Sequence, residues 1–326
     1  MKRILSMTAA AAVVAICAPV SAPQAQTKWD MPMAYPATNF HTINAQKFAD
    51  AVKAGTGGKL AITIHANASL FKANEIKRAV QTGQAQIGEV LMVNLQNEDP
   101  VFGADGVPFL ATDFKAAKKL ADAAKPTVEK KLAAWGTTLL YAVPWPPQGI
   151  YANKELNSLK DMEGLKWRAY SPATARLGEL VKAQPITIQA AELSQALATG
   201  KVNSFVSSGS TGVDTKVWEA LKFFYDTQAW LPKNMVIVNK AAFDKLDKKD
   251  QAVLSAEAKK AEAAGWAECE KLTKGYLDTL AKNGMKVQPP NAKFKAELAA
   301  VGKTMTDEWI KSAGADGQAI VAAFKK

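Results

Sequence analysis

The feature that most limits what this chain can fold into is a regular change of hydrophobic period along it. Leu60, Ile62 and Ile64 alternate with Ala61, Thr63 and His65, the period of a half-buried strand. Just before them, Ala45, Phe48, Ala49 and Val52 recur at helical spacing, and Gly55 and Gly57 close that stripe. A helical segment from Glu75 to Thr82, ended by Gly83, and an apolar run from Ile87 to Val93 follow. The same order resumes with the strand LKWRAY. Ser171 and Pro172 then supply an N-cap and a first-turn proline for a helix through Leu177, Leu180 and Val181. PITI, the helical AELSQALATG and the strands VNSFVS and NMVIVN complete the series, with no internal repeat. Strands alternating with helices predict an α/β protein.

A second constraint lies near the C-terminus. A helical pattern runs from Lys249 to Lys282 and stops at Asn283 and Gly284, the residue types of a C-cap. At about 1.5 Å per residue it extends roughly 50 Å, more than one small domain needs. Such a helix is expected to brace two lobes.

The N-terminus carries an address. Lys2 and Arg3 precede an apolar run from Met7 to Ala18, then small residues and proline, the order of a secretory signal peptide ending at Ala25. The run is shorter than the ~20 residues that span a bilayer, and no later stretch matches it, so no stable membrane insertion is expected. A lipid anchor at Cys17 would need a small residue before it, and Ile16 stands there. Removal of residues 1–25 leaves roughly 300 residues, enough for one large core or two ordinary ones. Only Cys269 then remains, which excludes an internal disulfide and a cysteine metal cluster. Leu272, Tyr276 and Leu280 repeat with it at helical spacing, so it reads as a core residue.

The formal net charge is +11. The lysines are scattered along helices among acids and alanines, as in Lys118, Lys119, Lys259 and Lys260, which describes a solvated face and no nucleic-acid surface. A positive field in an exported protein steers anionic ligands. Catalytic signatures are missing: the two histidines, His41 and His65, lack metal spacing, and no HExxH, GxSxG or P-loop motif occurs. SSGSTG at Ser207 to Gly212 reads as a turn. No enzyme, metal or cofactor is expected from these residues.

Six segments resemble, in order, the periplasmic solute-binding subunits of tripartite ATP-independent periplasmic (TRAP) transporters of the DctP-like family. They are KFADAVKAGTGGKLAITIHANASLF, AVQTGQAQIG, VPFLATD, NKELNSLKDMEGLKWR, ALATGKVNSF and VNKAAFDKLDKKDQAVL. The resemblance implies an α/β, two-lobed periplasmic-binding-protein-like fold, with a ligand cleft between lobes and a long helix bracing both. It also implies a small-molecule organic acid as ligand, and small and large TRAP membrane subunits as partners. The division expected is residues 26–150 with part of the C-terminal region as lobe 1, 151–240 as lobe 2, and 241–326 as helices packing across both.

Within LKDMEGLKWR the family's carboxylate-binding arginine falls on Arg168, and a planar guanidinium suits a carboxylate in a way lysine cannot match. Strand alternation puts Arg168 and Tyr170 on one face and Trp167 on the other, toward the core. The remaining cleft positions depart from relatives that bind sugar acids. Gln148 replaces a second arginine, Ser207 stands near an asparagine position, and Leu91 and Asn94 replace an acid and an arginine. Aromatic walls are expected from Tyr35, Trp145, Tyr170, Phe205 and Trp230, with Trp145 held rigid by Pro144, Pro146 and Pro147. Fewer charges and more aromatic surface predict an aromatic or largely apolar monocarboxylate, such as an aryl keto acid. Lys72 is either a second anchor or solvent-exposed. A binder for an ATP-driven importer or sensor kinase, and a periplasmic enzyme on a two-lobed fold, are the alternatives.

Overall fold

A computed structural model describes residues 26–326. The signal-peptide reading of residues 1–25, with Cys17, lies outside the described residues.

The chain begins with β1 (Thr27–Pro32), crosses over through α1 (Phe40–Gly55), and returns as β2 (Leu60–His65), parallel to β1. The Asn39 side chain caps α1 by accepting from the His41 backbone N–H. Then come α2 (Ile76–Gln81), β3 (Ile87–Leu91), α3 (Phe114–Ala134) and β4 (Thr137–Pro144). The short segment Trp145–Pro147 leads into β5 (Gln148–Ala152), which belongs to a different sheet. That sheet is built by β6 (Lys166–Ala169), α4 (Pro172–Leu180), β7 (Gln184–Thr187), α5 (Leu193–Ala198), β8 (Ser204–Ser208), α6 (Gly209–Asp214) and β9 (Phe223–Tyr225). Ser171 caps α4 as its sequence predicts, accepting from the Thr174 N–H, with Pro172 in the first turn.

The next strand, β10 (Lys233–Asn239), is the middle of a three-stranded antiparallel sheet between β3 and β4. It therefore belongs with the first half of the chain, although the division expected from sequence put it in the second lobe. Periodicity identifies NMVIVN as a strand; only pairing says with which sheet. By strand pairing the chain leaves the two sheets of its first part, β1-β2 and β3-β10-β4, for the larger sheet at residues 145–147, returns at residues 226–232, and crosses once more to place residues 286–288 in the larger sheet.

The rest is α7 (Lys240–Asp244), α8 (Lys248–Lys282), β11 (Lys286–Gln288) and α9 (Ala292–Lys325). The six-stranded sheet runs β11-β9-β5-β8-β6-β7. α8 touches both halves of the molecule. Its N-terminal part packs on α1, where Val253 meets Gly55, and on β4, where Gly265 meets Val143. Its C-terminal part packs on α6, with Tyr276 and Leu277 against Gly209 and Leu280 against Gly212. Cys269 is fully buried in the core that α8 shares with α1 and β4, alongside Phe48 and Tyr141, and burial pushes its thiol well up, as suits an inert core residue. α9 does the same on another face. Phe294, Leu298, Val301 and Met305 join the core around Trp167, whereas Trp309 and Ile320 join the core around Phe102. Gly314, with φ 57° and ψ −134°, breaks that helix between Trp309 and Ile320, within the part that docks on the core around Phe102.

Candidate functional site

Between the sheet systems lies a cleft with an empty volume of about 850 Å³, including its mouth. It opens at the carboxyl ends of the parallel strands β6 and β8, where open α/β sheets collect ligand-binding groups. The crossings at residues 145–147 and 226–232 both contribute to it, through Trp145 and Pro232.

Arg168 sits one residue before the end of β6 and is 3% exposed. Its neighbour Trp167 turns the other way. The Trp167 indole donates to the Thr174 carbonyl at 2.9 Å and lies against Gly178, where an added Cβ would come within 2.6 Å of the ring. That packing holds the strand in the register that turns Arg168 to the cleft. The Arg168 Nε donates to the Ile188 carbonyl at 2.9 Å, and its guanidinium carbon lies 5.0 Å from the Tyr170 ring centroid. Among the described residues no carboxylate lies within ion-pair distance of it. Burial pushes its pKa down to about 10, opposed by Tyr170 and Tyr35. It is still a cation at neutral pH, in an interior that makes an unpaired charge expensive.

The surrounding side chains are fixed by one another. Tyr170 donates from its hydroxyl to Gln148 Oε1 at 3.2 Å, and Gln148 Nε2 donates to the Pro146 carbonyl at 2.9 Å. Burial raises the Tyr170 and Tyr35 hydroxyls well above the usual phenol range, so both are neutral. Trp145 donates through Nε1 to Asn234 Oδ1 at 2.9 Å, and its ring meets Tyr35 edge-on at 4.7 Å. Behind it, Asn234 Nδ2 donates to the buried Glu89 at 2.9 Å. His41 Nδ1 comes within 3.5 Å of the other Glu89 oxygen without hydrogen-bond alignment. Glu89 and Asn234 thus set the orientation of a cleft-lining ring, and nothing in their local sequence signals it.

Eight of the ten expected side chains line the cleft: Arg168, Trp145, Gln148, Tyr170, Ser207, Tyr35, Asn94 and Leu91. Asn94 Oδ1 is buried there with no protein donor. The other two expectations are corrected. Phe205 lies two residues deeper on β8 than Ser207, stacked on Tyr151 at 4.5 Å and fully buried in the core beneath the cleft. Trp230 stands behind Tyr170 and donates to its hydroxyl at 3.3 Å, supporting the wall without forming it. Lys72 is exposed and lies outside the lining, although Ala73 is part of it.

The turn reading of SSGSTG is also corrected. Ser207 and Ser208 end β8, and Ser208 caps α6 by accepting from the Thr211 N–H at 3.4 Å. Ser207 donates to the Thr211 hydroxyl at 2.8 Å. This strand-to-helix junction puts Ser207, Thr211, Asp214 and Thr215 along one wall. Asp214 had no sequence signal at all. Its Oδ2 accepts from Asn39 Nδ2 at 2.7 Å, so the capping residue of α1 reaches across to the end of α6. Burial pushes the Asp214 carboxyl up, opposed by that hydrogen bond and by His41.

A family model described as bacterial extracellular solute-binding protein, family 7 (DctP), matches residues 32–312. The chain belongs to this family. DctP proteins are the extracytoplasmic receptors of TRAP transporters, working with membrane subunits on small organic acids, and this chain is such a receptor. Among solved structures it is similar to a Bordetella pertussis extracytoplasmic solute receptor that binds pyroglutamic acid. The two share 57% identity and a TM-score of 0.91, covering 92% of this chain and 99% of that one. A marine metagenome TRAP solute-binding protein specific for pyroglutamate is 50% identical, with the same TM-score and coverage. Among curated proteins, the 2,3-diketo-L-gulonate-binding periplasmic protein of Escherichia coli K12 is 26% identical over 228 residues, 69% of either chain.

The two-lobed α/β fold expected from the resemblance is the fold of these relatives. The aromatic acid expected from sequence is not supported by them. The cleft agrees with that correction: two of its five expected aromatic walls are absent from the lining, and amides, hydroxyls and a carboxylate occupy much of the remainder. In the described residues no helix is long and apolar enough to cross a membrane.

Proposed function

We propose that this protein is the periplasmic receptor through which a TRAP transporter takes up pyroglutamate, exported by the signal peptide of residues 1–25. The observation that carries the reading is the buried Arg168 guanidinium, held by the Ile188 carbonyl and left without a protein carboxylate. A ligand carboxylate supplies the counter-charge through charge-assisted hydrogen bonds, each worth about 1.5–3 kcal/mol where one partner is ionised. The flat five-membered ring then lies among Tyr35, Trp145 and Tyr170, with the amide and hydroxyl groups of Asn94 and Ser207 in reach of its polar edge. The likeness to two pyroglutamate receptors, at 57% and 50% identity, supports the same choice. The two lobes close on the ligand about the crossings at residues 145–147 and 226–232, and Arg168, Tyr170, Gln148, Ser207, Trp145, Tyr35, Asn94 and Leu91 bind it. The protein acts by capture and release, with no turnover.

Mass spectrometry of the small molecules released by denaturing protein purified from its native host tests this. Chemically unchanged pyroglutamate is expected, and titration calorimetry with L-pyroglutamate should give a one-to-one complex. Release of a sugar acid or a C4-dicarboxylate, with no heat from pyroglutamate, would overturn the assignment.

A further inference from the structure

We propose that Asp214 is the specificity-determining acceptor of this cleft, taking a hydrogen bond from a ring N–H of the ligand through its Oδ1 oxygen and turning away acids that carry a second carboxylate. The inference rests on the pyroglutamate reading and assigns the residue that reads the lactam nitrogen.

Among the described residues that line the cleft, Asp214 is the one carboxylate and Arg168 the one guanidinium. A site built only to hold an anion gains nothing from a second negative charge, which opposes the ligand and weakens the field of the arginine. The acid therefore needs a partner that a simple carboxylate lacks. Its two oxygens are used unequally. Oδ2 takes the Asn39 amide at 2.7 Å, and no donor of the described residues reaches Oδ1. Burial disfavours the Asp214 charge, and a donor on the ligand offsets that cost at the moment of binding.

The lactam N–H of pyroglutamate is such a donor, on the ring atom next to the carbon that bears the carboxylate. In the proposed complex the ring presents its carboxylate to Arg168 and its N–H to Asp214, both of which line the cleft. An acid with oxygen in place of that nitrogen leaves the Asp214 acceptor unpaired and faces it with a lone pair. A dicarboxylate faces it with a like charge. Both are rejected by what they place beside Asp214, so selectivity comes from an unpaired acceptor and a like charge as well as from contacts to the target.

The competing role is mechanical: through Asn39 and Ser210, α6 is tied to the start of α1, and Asp214 could serve only that tie. Titration calorimetry on the full mature protein separates the two. L-Pyroglutamate is compared with its lactone isostere, 5-oxotetrahydrofuran-2-carboxylate, in the wild type, in Asp214→Asn and in Asp214→Ser. The wild type is expected to prefer the lactam by about thirtyfold or more, because the lactone leaves this half-buried acceptor unpaired beneath the ligand. In both variants the preference is expected to fall to about threefold or less, with the lactone bound as well as or better than by the wild type. Equal wild-type affinity for lactam and lactone would overturn the proposal, whatever the variants do. So would an unchanged preference in either folded variant, which leaves Asp214 as a tie between α1 and α6. If the wild type ignores pyroglutamate and binds a different acid, the parent reading fails, a result distinct from lactam binding without discrimination.

Discussion

Arg168 is buried at a cost to the unliganded protein, and under the proposed function it is the anchor of the liganded one. A buried guanidinium with a single carbonyl partner pays desolvation without an ion pair, so replacing it with an apolar chain of similar length should relieve the fold. Arg168→Met is expected to melt at or above the wild-type temperature without ligand, while losing about 100-fold or more in affinity. Scanning calorimetry and titration calorimetry check the two halves; a variant that is both destabilised and still able to bind contradicts the reading. Asp214 behaves in a related way with pH. Its folded-state carboxyl lies above its ordinary value, so the native protein holds more protons than the unfolded chain in that interval. Stability contributed by Asp214 is therefore gained on acidification through the raised pKa and lost as pH rises. Asp214→Asn should raise the unliganded melting temperature most at neutral pH, with the gain shrinking as the solution is acidified. A gain that grows toward acid pH has the wrong sign for this account.

Helix α8 offers a paired test of how the halves are joined. At Gly265 an added Cβ would lie 2.4 Å from Val143 Cγ2 and 2.8 Å from Cγ1, on a short branched side chain in β4 that has nowhere to go. Gly265→Ala is expected to destabilise by about 1–3 kcal/mol through overpacking. At Gly275, ten residues on and exposed, nothing lies within 4 Å, and alanine should stabilise by about 0.5–1 kcal/mol. Urea unfolding of the two variants reads both signs. This helix was legible in advance, because its apolar stripe and its Asn283–Gly284 stop lie in one continuous stretch. The α6 junction was not: SSGSTG has the composition of a turn, and its helix exists because Ser208 caps it and α8 packs on it.

Since α8 and α9 each pack into the cores on either side of the cleft, neither half can lose its helices without exposing the core of the other. Unfolding is expected to be a single cooperative transition, with far-ultraviolet and near-ultraviolet signals superimposing. A ligand bound in the cleft stabilises the whole chain by mass action, about 2.7 kcal/mol at a hundredfold excess over the dissociation constant. Two transitions, of which pyroglutamate shifts only one, would show that the bracing helices do not couple the lobes.

What the sequence determined alone was everything written in near neighbours. The alternation of strand and helix, the Ser171–Pro172 cap, the length of α8 and the partition of Arg168 from Trp167 all depend on residues within a turn or two of each other. Arg168 itself stood out only through the pattern LKDMEGLKWR around it; taken singly it is one basic residue among many. Tertiary structure decided what depends on distant partners. It put β10 between β3 and β4, turned Phe205 into core by laying Tyr151 over it, and set Trp230 behind Tyr170. It also brought Asp214 into the cleft through Asn39, 175 positions earlier in the chain. Aromatic side chains gain from burial in a core and in a cleft alike, so their composition cannot tell the two apart. A buried charge with no counter-charge is a property of the folded neighbourhood, and the binding role proposed for Arg168 rests on it.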